Sequence, residues 1–106
     1  MFLLCISLLI MPQPITLSVK EYAHQYVVQE FNVKQWKCFN AIIYRESRWQ
    51  PNAENGSHYG LGQLDNSKKH HKGKPRLQVR KTLDYIKNRY GTPCVAYRHH
   101  LERGWY

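Results

Sequence analysis

The residues from Arg45 to Leu64, RESRWQPNAENGSHYGLGQL, are the part of the chain best equipped for chemistry. Glu46 ends an apolar, helix-forming run and is followed by a loop rich in Asn and Gly. At a helical advance of 100° per residue with Trp36 as origin, Phe39 falls at about 300°, Ile42 at about 240°, Ile43 at about 340° and Glu46 at about 280°. Glu46 is therefore expected on the apolar stripe, between Phe39 and Ile42. Removing a carboxylate from water is costly, and a helix C-terminus presents partial negative charge. Both effects favour the neutral carboxyl, which is the form a general acid needs. The competing arrangement is a Glu that frays into solvent or pairs with Arg45 or Arg48.

Four helices must position this carboxylate. Ser18-Val-Lys-Glu21 has the capping-box spacing, and Val19, Tyr22, Ala23, Tyr26 and Val27 follow at helical intervals, so the first helix runs to near Asn32. A second starts there, carries Trp36, Phe39, Ile42 and Ile43, and is bounded by Pro51. Short extended segments around Asn55-Gly56 predict a small hairpin, and Gly60 and Gly62 mark turns. After a basic loop, KKHHKGKPR (68–76), Pro75 suits the first turn of a helix aligning Val79, Leu83, Ile86 and Tyr90, with Gly91 as its stop. Thr92-Pro93 opens the last helix, which aligns Cys94, Tyr97 and Leu101 and stops at Gly104. The fold class expected is mainly α, with one small β-hairpin beside the cleft.

The chain of 106 residues shows no internal repeat and reads as one domain over residues 18–106, preceded by a signal-like leader over residues 1–17. The leader is suggested by the ten-residue apolar run Phe2 to Met11, too short to span a bilayer; a buried N-terminal segment is the alternative. If the leader is cleaved, Cys5 leaves with it, and Cys38 and Cys94 remain as a pair, either bridged or as two buried thiols. Sixteen Lys and Arg against seven Asp and Glu give a net charge of +9, which draws polyanions: nucleic acid, anionic membrane or anionic cell-wall polymer. The histidines of His70-His71 and His99-His100 are adjacent and diverge on a helix, and no metal-ligand spacing occurs, so no metal or cofactor is expected.

Glu46-Ser47, the run Trp49-x-Pro51-x-Ala53, and Tyr59-Gly60-Leu61-Gly62-Gln63 together resemble the goose-type lysozyme and soluble lytic transglycosylase superfamily. The later half is similar to small transglycosylase-like proteins of actinobacteria and their phages, in Ser67-Lys68, in Pro75 to Arg80, in Tyr85 to Gly91, in Pro93 to His99 and in the closing Gly-Trp-Tyr. One departure stands out. Where larger members read Ala-Tyr-Asn-Ala-Gly, this chain reads Ala96-Tyr97-Arg98-His99-His100.

The resemblance implies a lysozyme-like domain that cleaves the β-1,4 bond between N-acetylmuramic acid and N-acetylglucosamine in peptidoglycan, secreted, periplasmic, wall-associated or phage-borne. Glu46 would be the catalytic acid and base, and Ser47, Tyr59, Gly60, Gln63 and Tyr97 would contact the glycan. Trp49 divides evenly between stacking on a sugar and packing in the core. A transglycosylase would close a 1,6-anhydro ring with Glu46 alone, whereas a hydrolase would need a second carboxylate; Glu54 and Asp65 lie in the loop region, and Asp65, which follows the Gly-rich motif, is the one that could reach the cleft. The expected partners are glycan strands and anionic wall polymers, for a monomer with no membrane span. A catalytically inactive, basic wall- or nucleic-acid-binding module is the rival; Lys68, Lys69, Lys72, Lys74, Arg76, Arg80 and Lys81 would form its surface.

Overall fold

The computed structural model describes residues 16–65 and 71–106. The leader up to residue 15, and residues 66–70 with Ser67, Lys68, Lys69 and His70, lie outside the described residues. Helices α1 (Val19–Glu30), α2 (Val33–Ser47), α3 (Pro75–Tyr90) and α4 (Pro93–Arg103) surround a small sheet of strands β1 (Glu54–Asn55), β2 (His58–Tyr59) and β3 (Leu64–Asp65).

Three of the four helices start where a side chain can satisfy a free amide. The Ser18 hydroxyl accepts from the Glu21 amide at 3.1 Å, and Asn32 Oδ1 accepts from Gln35 at 3.0 Å. Thr92 Oγ1 accepts from Val95 at 3.4 Å, with Pro93 in the first turn. Helix α3 opens on Pro75 with no side-chain cap, then closes at Gly91, while α4 closes at Gly104 in the left-handed region.

Helices α1 and α2 pack against each other, and α4 lies against both α2 and α3, with α1 also touching α3. Their shared interior is Ala23, Val27, Phe39, Ile42, Ile43, Val79, Leu83, Ile86 and Ala96, joined by Leu61 from the loop. Leu61 is what ties the loop to the helical core. The hairpin forms as expected, with Asn55 opposite His58 and Glu54 opposite Tyr59 across a two-residue turn at Gly56-Ser57. The third strand was not anticipated: Leu64 pairs with Tyr59 and Asp65 with His58, so the Gly-rich segment folds back on the hairpin.

Cys38 and Cys94 form a disulfide that joins the middle of α2 to the start of α4. It closes a 56-residue separation, which in the chain-entropy account stabilises the fold by about 4 kcal/mol. The double substitution Cys38→Ser, Cys94→Ser is expected to lower the urea midpoint by a corresponding amount. An unchanged midpoint would show that the bridge contributes nothing to the folded state.

Candidate functional site

Glu46 lies in the last turn of α2, on the face that buries Phe39, Ile42 and Ile43. Its side chain is 19% exposed, and it meets a polar neighbour that the apolar stripe alone does not predict. His100 of α4 reaches across, and its Nε2 lies 2.9 Å from Glu46 Oε1. The His100 side chain is only 6% exposed. On its other edge Nδ1 accepts from Arg45 Nε at 3.3 Å. The carboxylate thus belongs to a three-residue chain, Arg45 to His100 to Glu46.

Glu46 lines a cavity of about 250 Å³ together with Asn55, His58, Gln63, Gly104, Trp105 and Tyr106. A second hollow of about 140 Å³ shares His58, Gln63 and Tyr106 and adds Leu64, Asp65 and Tyr85. A wider groove of about 580 Å³ lies elsewhere, between Leu17, Val19 and the start of α3. It contains no acid or nucleophile, and its arginines are already engaged: Arg76 donates to the Leu17 carbonyl and Arg80 to the Tyr22 hydroxyl. Among the described residues no group of His, Cys, Asp and Glu is placed to hold a metal ion.

The loop that walls the cavity is strained at both ends. Arg48 and Trp49, directly after the helix, have φ of 52° and 60°, and Gln63 has φ of 51°. Non-glycine residues occupy this region at a cost of order 1–3 kcal/mol each, so neighbouring bonds must hold them there. Trp49 is held by Nε1 donating to Asn40 Oδ1 at 2.8 Å and by packing near Trp36. Gln63 Nε2 donates to the carbonyls of Ala53 and Gly60, while its Oε1 accepts from Asn55. Gln78 of α3, 1% exposed, completes the framework. It accepts from the Leu61 amide and donates to the carbonyls of Pro51 and His71.

Two glycines permit this closeness. A Cβ on Gly60 would stand 2.6 Å from Gln78 Oε1, and its φ is +83°. A Cβ on Gly62 would stand 2.1 Å from Thr82 Oγ1 and 2.9 Å from the Tyr106 hydroxyl.

Of the residues singled out in the sequence, Glu46 and Gln63 meet at the cavity. The others serve elsewhere. Ser47 is buried and its hydroxyl donates to the Ile43 carbonyl one turn back. Tyr59 is buried with its hydroxyl donating to Asn52 Oδ1, and Gly60 faces Gln78. Tyr97 packs on the core, and it is His100, one turn later, that reaches Glu46. Trp49 packs on the core as well. Sequence reasoning missed Arg45, His100, Trp105 and Tyr106. A signal for His100 is present, since residues 97 and 100 share a helical face, but the adjacent His-His pair reads in sequence as a metal ligand or a solvated basic surface.

Tyr106 lines both hollows. Its ring stacks at 6.0 Å on His100 and meets Tyr85 edge-on, and its hydroxyl donates to the Gly62 carbonyl. Burial, and then the nearby Glu46 carboxylate, push the Tyr106 phenol well above its ordinary value of 10.

Compared with protein-family models, curated proteins and solved structures, the chain matches none.

The raised phenol makes a stability prediction. The folded state holds Tyr106 neutral where the unfolded chain would ionise, so stability is intact below the ordinary phenol value and falls as pH rises beyond about 10. Tyr106→Phe should flatten this alkaline loss. Some slope should remain, because burial also raises Tyr26 and Tyr90. Denaturation midpoints measured across that range check it, and parallel curves for the two proteins would contradict it.

Proposed function

We propose that the chain is a peptidoglycan-cleaving lytic transglycosylase in which Glu46 alone serves as acid and base. The observation that carries this reading is a carboxylate, four-fifths withdrawn from water, at the wall of a polar cavity that opens beside a Gly-rich loop.

The chemistry asks for one proton and one place to return it. Protonated Glu46 gives its hydrogen to the glycosidic oxygen as the bond from C1 of the muramyl sugar breaks, leaving an oxocarbenium-like centre. The resulting Glu46 anion takes the proton of the same sugar's 6-hydroxyl while that oxygen bonds to C1. The 1,6-anhydro ring closes, no water is consumed, and Glu46 regains its hydrogen. Asn55 and His58 offer polar groups to hydroxyl and acetamido substituents, and Trp105, 49% exposed, offers an aromatic face to a sugar ring. Gln63 contributes mainly as the brace of the loop, since its carboxamide is already bonded on both sides. The basic surface of α3, including the exposed Arg76, Arg80 and Lys81, suits an anionic wall polymer. No helix among the described residues is long and apolar enough to cross a membrane.

Hydrolysis of the same bond is the second reading, favoured by one observation: Asp65 lines the hollow next to the Glu46 cavity. Glu46→Gln should abolish clearing of bacterial walls while leaving the circular dichroism spectrum intact; normal clearing by that variant ends the assignment. Mass spectrometry of the digest distinguishes the two chemistries. Anhydromuropeptides are expected, with Asp65→Asn near wild-type rate. Reducing-end products, with a large loss in Asp65→Asn, would favour the hydrolase. Trp105→Ala should raise KM several-fold with a smaller effect on kcat.

A further inference from the structure

A base beside a general acid is a hazard. An imidazole nitrogen with a free lone pair 2.9 Å from Glu46 would accept its proton and form an ion pair, leaving the acid unable to donate. Which nitrogen holds the ring hydrogen therefore decides whether Glu46 is armed. Arg45 decides it. A guanidinium N–H can only donate, so the nitrogen it meets, Nδ1, must present a lone pair. The single hydrogen of a neutral ring is then on Nε2, pointing at Glu46 Oε1. In that tautomer His100 donates to Glu46 and has no lone pair facing it. To become imidazolium, the ring would have to add a hydrogen at Nδ1, breaking the bond from Arg45 and setting two cations in contact.

We propose that Arg45 locks His100 in its Nε2–H tautomer, so that His100 orients Glu46 by donation and is barred from taking its proton. Arg45 and His100 are positioning residues in this account, which rests on the reading of Glu46 as the acid. The other titratable groups around the pair are few. His58 of β2 lines the same cavity as Glu46. Tyr106 stacks on the imidazole with its phenol held neutral, and Tyr85 of α3 stands behind it, donating to the Tyr106 carbonyl. None of these is hydrogen-bonded to either ring nitrogen of His100, whose partners are Arg45 and Glu46.

Nitrogen-15 NMR of the imidazole rings tests the lock directly and needs no activity. In the unaltered protein at neutral pH His100 should show a protonated Nε2 and a bare Nδ1. A neutral ring with its hydrogen on Nδ1 overturns the proposal. Arg45 is exposed, so Arg45→Met should fold; a His100 lone pair is then free to face Glu46 and take its hydrogen. Wall clearing by Arg45→Met should fall by about tenfold or more at neutral pH and above, because the ion pair and the form that has lost its proton both leave Glu46 without a hydrogen to give. In a His100→Gln background, whatever its own rate, adding Arg45→Met should change that rate by less than about twofold, because an amide can donate but takes no proton. An equal loss in both backgrounds would show that Arg45 acts by another route and would sink the lock. The two readings fail separately. If Glu46→Gln clears walls normally, the enzymatic assignment falls while the tautomer result stands; if the ring carries its hydrogen on Nδ1, the lock falls while Glu46 remains the acid.

Discussion

The segment from Arg48 to Asp65 carries only three strands of two residues each, so many of its backbone polar groups must be satisfied by side chains. Two carboxamides do this. Gln78 reaches out of α3 to bond Pro51, Leu61 and His71, and Gln63 turns inward to bond Ala53, Gly60 and Asn55. The remainder of the site follows from that knitting. With the loop fixed, the Gly62 carbonyl is placed to receive the Tyr106 hydroxyl, and Tyr106 lines both hollows. The left-handed backbone at Arg48, Trp49 and Gln63 is tolerated because these bonds, with Trp49 on Asn40, hold the loop from several sides.

Around Glu46 the electrostatics are those of hydrogen bonding more than of charge pairing. The carboxylate is withdrawn from solvent but meets a nitrogen of a buried ring, and the cation in the group, Arg45, contacts the ring and not the carboxylate. A guanidinium placed directly on Glu46 would hold it as an anion. Setting an imidazole between the two transmits a donor hydrogen while keeping the full positive charge one ring away.

Helix limits were legible in the sequence because capping chemistry is local. Ser18, Asn32, Thr92, Gly91 and Gly104 each act within five residues of themselves, and every one is used as its type suggests. The apolar stripe of α2 was legible for the same reason, through periodicity. The site was only half legible. Glu46 stood out as a carboxylate out of place, and the later residues could not, since His100 becomes a partner of Glu46 only when α4 crosses α2 at a particular height. Gln63 shows a different failure. A carboxamide in a Gly-rich loop looks like a ligand to a sugar, but a loop with so short a ladder uses such a group to stabilise itself. Strand β3 escaped notice because two residues leave no periodicity to read.

The disulfide has a mechanical consequence. It fastens α2 to α4 at Cys38 and Cys94, while the contact between Glu46 and His100 is made further along the same two helices. Eight residues of helix separate Cys38 from Glu46, a lever arm of about 12 Å. Pivoting by about 5° at the covalent joint moves the far end by roughly 1 Å, enough to break a 2.9 Å hydrogen bond. The fastening therefore fixes the axis about which the helices can swing. Resistance to the swing itself falls to the side chains filling the wedge, Phe39, Ile42 and Ile43 against Ala96.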